Sequence, residues 1–312
     1  PLPAIAAGDP LRDFHGYGAA SMRLKSRNRT VTALLLIAPF VICYLVVFAY
    51  PVYKMFAMSF TDAPLIGEGE WIGFDNYIRM FEHKLFYTSV YNTLYFVLLT
   101  VVPNTLIGLG IAMMVVRLKG WIQAGILVLF FMPYILPVTV VTQIWQWILD
   151  QQFGVVQPLI EAVVGRRISV FRDPVWAMPM VALVTIWWTN GFNVLLFISA
   201  LRNIPDDYYE AASLDGASRL QQFRRITWPL LWPVTALVLT LQLILQLKIF
   251  DQIYLMTQGG PFNSTYVLLQ LVYREAFGRN QGGYASAVAV ALFVIIVAVS
   301  VLQYQLLKAR GK

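Results

Sequence analysis

Runs of about twenty consecutive apolar residues recur along this chain, and they limit its fold more than any motif does. The first is VTALLLIAPFVICYLVVFAY at 31–50, and others lie near 87–115, 122–149, 177–199, 230–256 and 284–307. At about 1.5 Å rise per residue, twenty residues cross the ~30 Å hydrocarbon core of a bilayer as a helix. In hydrocarbon every backbone N–H and C=O needs a partner within the protein, so helices are what such runs form. The expected fold is all-α and polytopic, with about six transmembrane helices. Composition agrees: 59% of the 312 residues are hydrophobic and 12% are charged, where soluble domains carry roughly 25% charged residues. No internal repeat or low-complexity tract appears.

Residues 1–30 are polar, contain Gly and Pro, and turn basic; 1–20 are expected to be poorly ordered. The chain opens on Pro1 rather than Met, so a trimmed start or an expression remnant is expected there. A cleaved signal peptide is the alternative for 31–50, but the run is long for one and shows no convincing small-residue cleavage site. The expected organisation is a tail at 1–30, a transmembrane domain at 31–308 and a second tail at 309–312. Six spans put both tails on one side. Those tails and the loops at 116–120 and 200–229 hold 14 of the 23 Lys and Arg; the longer loops opposite hold 8, and Lys248 lies in a span. The positive-inside bias therefore places both termini and the 200–229 segment in the cytoplasm of an inner-membrane protein. The net charge of +7 is then a topology signal. Lipid, not nucleic acid, is the expected surrounding.

The 200–229 segment is the long polar interruption of the chain. It reads as two short helices and a sharp turn. Pro205 suits a first helical turn, and Asp206 and Asp207 put negative charge at the positive end of that helix. Asp215-Gly216 stops it, Gly supplying the left-handed conformation of a C-terminal cap. Ser218 and Gln221 form a capping box that starts a second helix. Arg224 and Arg225 fall in its last turn, where cations are favoured, and Leu220, Phe223 and Ile226 give it one apolar side. The plain alternative is an amphipathic loop that docks on nothing.

The order Glu210-Ala211-Ala212, Gly216, Ile226 and Pro229, at this spacing, resembles the EAA loop of binding-protein-dependent ABC importer permeases. Trp228 stands where that family more often has Leu. Trp71-Ile72-Gly73-Phe74-Asp75-Asn76-Tyr77 resembles the outer loop of sugar-type permeases. Phe250 to Pro261, ending Thr257-Gln258-Gly259-Gly260-Pro261, is similar to the T-x-G-G-P segment of carbohydrate permeases. The likeness covers about 30–308 and implies the type I importer permease fold. It also implies an ATPase-coupling role for Glu210, Ala211, Ala212, Asp215, Gly216, Ile226 and Pro229, seated in a cleft of a cytoplasmic ATPase. Two adjacent Ala side chains let a helix approach a partner closely, and Glu210 offers a charge to a basic surface. The implied partners are a second similar permease subunit, two ATP-binding subunits that hold ATP and Mg, and an extracytoplasmic solute-binding protein. Transport would run by alternating access.

Chemistry within the chain itself is not expected. There is no G-x-x-x-x-G-K-[ST] loop for ATP. His15 and His83 lie outside the spans, and no Cys/His cluster or H-E-x-x-H suits a metal. Cys43, the one cysteine, allows no intrachain disulfide and is expected as a small buried hydrophobe. Gly216-Ala217-Ser218-Arg219 meets a loose G-x-S-x pattern of intramembrane proteases, but it lies in the polar loop and no span offers a His base. The chain is therefore read as non-catalytic, with no cofactor or metal of its own. The alternative function is a stand-alone secondary transporter or channel for a small polar solute, working without an ATPase.

Polar groups inside spans each cost free energy in hydrocarbon. The fourth run carries Trp187, Trp188, Asn190 and Asn193 near its midpoint, with the two Asn on one face. The fifth carries Gln242, Gln246, Lys248 and Asp251. Lys248 and Asp251 can pair at i, i+3; either charge alone costs roughly 2.5–3.5 kcal/mol at a helix centre. One reading is a polar, sugar-sized cavity with Trp188 and Tyr254 stacking on the ring; the other is hydrogen-bonded packing between helices. Cavity lining is favoured for Lys248 and Asp251, packing for Gln242 and Gln246, and both readings stay open for Asn190 and Asn193. In maltose-type permeases sugar-contacting side chains come from the matching spans, and Gly191-Phe192-Asn193 and Lys248 fall at matching places. That family often has Asn where Lys248 stands, so a cation there points to an anionic or acid-bearing sugar. Pro39, Pro103, Pro133, Pro137, Pro229 and Pro233 interrupt backbone hydrogen bonds in or beside spans, and Pro133 with Pro137 is expected to bend the third.

Overall fold

The structure, a computed structural model, describes residues 26–310. The disorder expected at 1–20 and the last two residues of the C-terminal tail lie outside the described residues. The chain divides into two compact units at Lys54 and Met55. In the first, α1 (Ser26–Tyr44) passes through a π turn at Leu45–Ala49 into α2 (Tyr50–Met58), whose last four residues belong to the second. Pro51 has no N–H to give the carbonyl four residues back, and its ring presses on that carbonyl. The wider turn ahead of it, closed by the Tyr50 N–H on the Leu45 carbonyl, relieves both strains. The apolar side chains here are exposed, and Cys43 with them. Cys43 is thus not the buried group expected; a helix apolar all round needs no buried face when lipid is its solvent.

The second unit holds α3 (Asp75–Glu82), α4 (Lys84–Val115), α5 (Gly120–Ile135), α6 (Val138–Ile148), α7 (Gln157–Val164) and α8 (Ala177–Arg202). There follow α9 (Asp207–Leu214), α10 (Arg219–Gln222), α11 (Trp228–Leu247), α12 (Asp251–Met256), α13 (Leu268–Tyr273) and α14 (Gly282–Arg310). The described residues contain no strand. Among the described residues, five helices are long and apolar enough to cross a membrane, or six if the bent pair α5–α6 is one span.

The axis of this unit is α8, with α4 and α5 against it and α11 packed on both α4 and α8. A Cβ on Gly108 of α4 would press on Asn193 Cβ at 2.9 Å, and one on Gly191 of α8 would overlap the Phe130 carbonyl of α5. Small residues at these two points let the helices approach. One core cluster gathers Phe96, Val141, Val181 and Ile253; a second gathers Leu109, Phe197, Ile204 and Leu231. In the loop after α2, Asn76 donates to the carbonyls of Ser59 and Thr61 at 3.0 and 2.7 Å, and Trp71 stacks on Phe60. The Trp71–Tyr77 segment therefore folds its own loop.

The bend of the third span is where the prolines put it: α5 and α6 meet at 103°. Pro137 holds the residue before it extended, and Leu136 has ψ 139°. Trp188 Nε1 donates to the Leu136 carbonyl at 3.2 Å, so the break leaves that group satisfied.

The fifth span differs from the expected 230–256. It is one helical run from Arg219 to Leu247, because α10 continues through a π turn at Phe223–Thr227 into α11. Pro229 follows that turn as Pro51 follows the first, for the same steric reason. Arg224 and Arg225 consequently sit mid-helix rather than in a last turn. Beyond Leu247 the backbone leaves the helix at Lys248, and Phe250 takes φ −148°. The turn carries Ile249, Ile253 and Met256 into the core beside Val181, and burying three apolar side chains outweighs prolonging the helix.

Gly191→Leu is expected to destabilise the purified chain by about 1–3 kcal/mol through overpacking. Gly125→Leu, which meets nothing within 4 Å, should cost less than about 0.5 kcal/mol. Denaturant titration of both reads the difference, and matching midpoints would deny the close α5–α8 approach.

Candidate functional site

The hairpin after α8 is built by local chemistry. Ala217 N–H donates to the Ala212 carbonyl at 2.9 Å and Gly216 N–H to that of Ser213 at 3.1 Å, the paired bonds of a Schellman turn. Gly216 sits at φ 74°, a conformation that a side chain disfavours. The capping box is formed: Ser218 N–H reaches Gln221 Oε1 at 2.7 Å, and Gln221 N–H reaches Ser218 Oγ at 3.4 Å. Pro205 lies just before the N-cap Asp206 instead of inside the first turn. It keeps the preceding residue out of the helical region, and that residue, Ile204, is buried against Phe197 and Leu231.

Two side-chain bonds brace the hairpin. Tyr209 Oη meets Thr227 Oγ1 at 2.9 Å, and Gln222 Nε2 donates to Ser213 Oγ at 2.9 Å. Glu210, Ala211, Asp215, Gly216 and Pro229 are exposed, while Ala212 and Ile226 are half-buried. Among the described residues Glu210 makes no ion pair. The motif thus presents a small-residue helix face, a carboxylate and a tight turn to whatever lies outside.

At the far end of α11 a cleft of about 350 Å³ opens. Tyr134, Trp188, Phe192 and Phe250 give it aromatic walls, and Gln242, Gln246, Lys248 and Asp251 give it polar ones. Tyr134 and Phe192 stack at 5.6 Å. Lys248 and Asp251 are both exposed and, among the described residues, form no salt bridge. The pairing expected at i, i+3 is absent because the helix that would align them ends at Leu247. Tyr254 does not line the cleft; it stacks on Phe250 at 5.3 Å. Gly191 faces Phe130 instead.

Asn190 and Asn193 lie behind the cleft wall, 3% and 1% exposed. Asn190 Nδ2 donates to Asn104 Oδ1 at 2.6 Å, and Asn104 Nδ2 to Thr189 Oγ1 and Gln242 Oε1 at 2.9 and 3.1 Å. Gln242 Nε2 donates to Asn193 Oδ1 at 3.0 Å, and Gln246 Nε2 to Gln242 Oε1 at 3.1 Å. This amide chain ties α4, α8 and α11 together, and its Gln242 and Gln246 end surfaces in the cleft. Sequence reasoning missed Asn104, its hub; the signal was an amide beside Pro103 in an apolar span. It also passed over Phe250 and Tyr134 as cleft walls, and Tyr209, Ser213, Gln222 and Thr227 as braces. Glu275 was missed as well: 1% exposed, it is held by Arg274 at 2.7 Å and Arg279 at 3.4 Å. Beside it, burial pushes the Tyr266 phenol above its ordinary range, against the pull of Arg274.

The helical bundle thus carries a capped polar hairpin and an aromatic-polar cleft at the two ends of one helical run. The chain belongs to the family of binding-protein-dependent transport system inner membrane components, whose match spans residues 104–311. The sulfoquinovosyl glycerol transport system permease protein SmoG of Agrobacterium fabrum is 32% identical over 280 residues, 89% of this chain and 91% of that protein. The trehalose/maltose transport system permease protein MalF of Thermococcus litoralis is 30% identical over 282 residues, 89% of this chain and 94% of that one. In fold, the chain is similar to one from a bacterial ABC transporter involved in the import of the acidic polysaccharide alginate. The TM-score is 0.80 at 23% identity, covering 92% of this chain and 98% of the other.

Asn104→Leu should cost about 1–3 kcal/mol, since it orphans buried amides on two neighbouring helices. Lys248→Gln, at an exposed position, should stay within about 0.5 kcal/mol of the parent. Unfolding midpoints in detergent decide this; an undisturbed Asn104→Leu would mean that the amide chain holds nothing together.

Proposed function

We propose that this chain is the permease subunit of an ATP-driven importer, passing a sugar or sugar derivative from an extracytoplasmic binding protein into the cytoplasm by alternating access. One observation carries the reading. The second leg of the hairpin and the span that reaches the cleft are a single helical run, Arg219–Leu247. At about 1.5 Å per residue, its 29 residues make a rod of roughly 43 Å. Movement imposed on the hairpin is therefore delivered to Gln242, Gln246 and the Lys248 turn without an intervening loop.

The engine in this proposal is a pair of separate ATPase subunits, which hold ATP and Mg and grip Glu210, Ala211, Ala212 and Gly216. A second, similar permease subunit completes the path. Both termini and the hairpin face the cytoplasm, a placement supported by the distribution of Lys and Arg. The relatives' names, as transporters of sulfoquinovosyl glycerol and of trehalose/maltose, support a sugar as cargo. The cleft supports it too: aromatic faces take the C–H side of a sugar ring, and amides take hydroxyls. Lys248 has no ion-pair partner among the described residues, which favours a cargo bearing an acidic group.

In the assembled complex, Glu210→Lys and Gly216→Val should each remove substrate stimulation of the ATPase while the chain still inserts. Stimulation unchanged in both would remove the coupling role. Lys248→Ala should lower transport of the cargo by about 10- to 100-fold, the worth of one hydrogen bond to a charged group, and lower stimulated ATPase far less. Equal losses of the two activities would rule out a cargo contact at Lys248.

A further inference from the structure

Under the hairpin, beside the turn that joins α4 to α5, lies a second cavity of about 580 Å³. That volume falls within the ~300–1,000 Å³ of small-molecule sites. Three cations line it, Arg117 and Lys119 from the α4–α5 turn and Arg219 from the start of α10, against the single carboxylate of Asp206. None of these four joins an ion pair among the described residues. Met113, Ile204 and Phe223 give the cavity an apolar side. The hydroxyls of Tyr209 and Thr227, 2.9 Å apart, also belong to residues that line it.

This combination fits one kind of ligand. Guanidinium and ammonium groups make short, charge-assisted hydrogen bonds to phosphate oxygens. Hydroxyls serve the ester oxygens, and an apolar wall covers the stem of the alcohol. Basic pockets between spans at the membrane surface bind phospholipid head groups in this way. A phosphate monoester offers three non-bridging oxygens, and a diester two with two ester oxygens beside them, more acceptors for three cations than the two oxygens of a carboxylate. We propose that the cavity is a phosphate-ester site, seating either the head-group phosphate of an anionic phospholipid or a soluble phosphate ester. The site stands at the joint between the hairpin and the bundle, and it depends neither on the cargo of the cleft nor on an ATPase.

The test is thermal unfolding of the purified full chain in neutral detergent, titrated in turn with dioleoylphosphatidylglycerol, dioleoylphosphatidylcholine and glycerol 3-phosphate. Phosphatidylglycerol should raise the midpoint saturably and phosphatidylcholine should not. A rise with glycerol 3-phosphate of the same size identifies the soluble ester as the source; a rise with phosphatidylglycerol alone identifies the lipid. Each lost cation should weaken binding about fivefold, so Arg117→Gln with Lys119→Gln should raise half-saturation roughly 25-fold. Arg117→Lys with Lys119→Arg should restore it. Arg224→Gln with Arg225→Gln removes two exposed cations of the same hairpin that do not line the cavity, and half-saturation should not move. An equal effect of the two Gln pairs, or no saturable rise with either phosphate ester, would overturn the proposal.

Discussion

The close approach of α4 to α8, where Gly108 lies against Asn193, is the contact on which the second unit hangs. Between helices in lipid, apolar side chains gain nothing by leaving their solvent, so packing and hydrogen bonds must do the holding. Both are concentrated here. Gly108 removes the side chain that would separate the helices. One turn earlier on α4, Asn104 enters the gap and meets Asn190, Thr189 and Gln242. Three helices are thereby fixed at one level, and α5 is added to them by the matching absence of a side chain at Gly191.

Proline shapes much of the rest: Pro39, Pro103 and Pro233 lie inside helices that continue, and elsewhere the same steric rule has two further outcomes. At Pro137 the helix is abandoned and its limbs meet at 103°, with a tryptophan indole closing on the freed carbonyl. At Pro51 and Pro229 the helix is kept and the turn ahead of the ring is widened to a π turn. The second outcome is the one that matters for the proposed mechanism. It lets the hairpin and the span behind it remain one rod, so a push at the capped turn need not be lost in a flexible link.

Features that depend on neighbours along the chain are legible in the residues themselves. The Ser218–Gln221 box, the left-handed Gly216 and the bend at Pro137 all follow from interactions within about five residues. Features set by where a helix stops are not. Lys248 and Asp251 have a spacing that pairs them on a helix, but the chain turns at Lys248 to bury Ile249, Ile253 and Met256. Arg224 and Arg225 look like last-turn residues for the same reason: nothing local says that α10 runs on into α11. Asn190 and Asn193 can be read toward a cavity or toward a partner helix, and they lie against Asn104 and Gln242, residues some 50 to 90 positions away.

The sequence by itself determined the class of fold, since apolar runs of bilayer length leave the backbone only helical hydrogen bonds. It also determined the hairpin, whose caps are local. Tertiary structure alone decided which polar groups face the cleft and which lock the bundle. An amide in a span must find a partner or an aqueous surface, and which of the two it finds depends on the face that a distant helix covers.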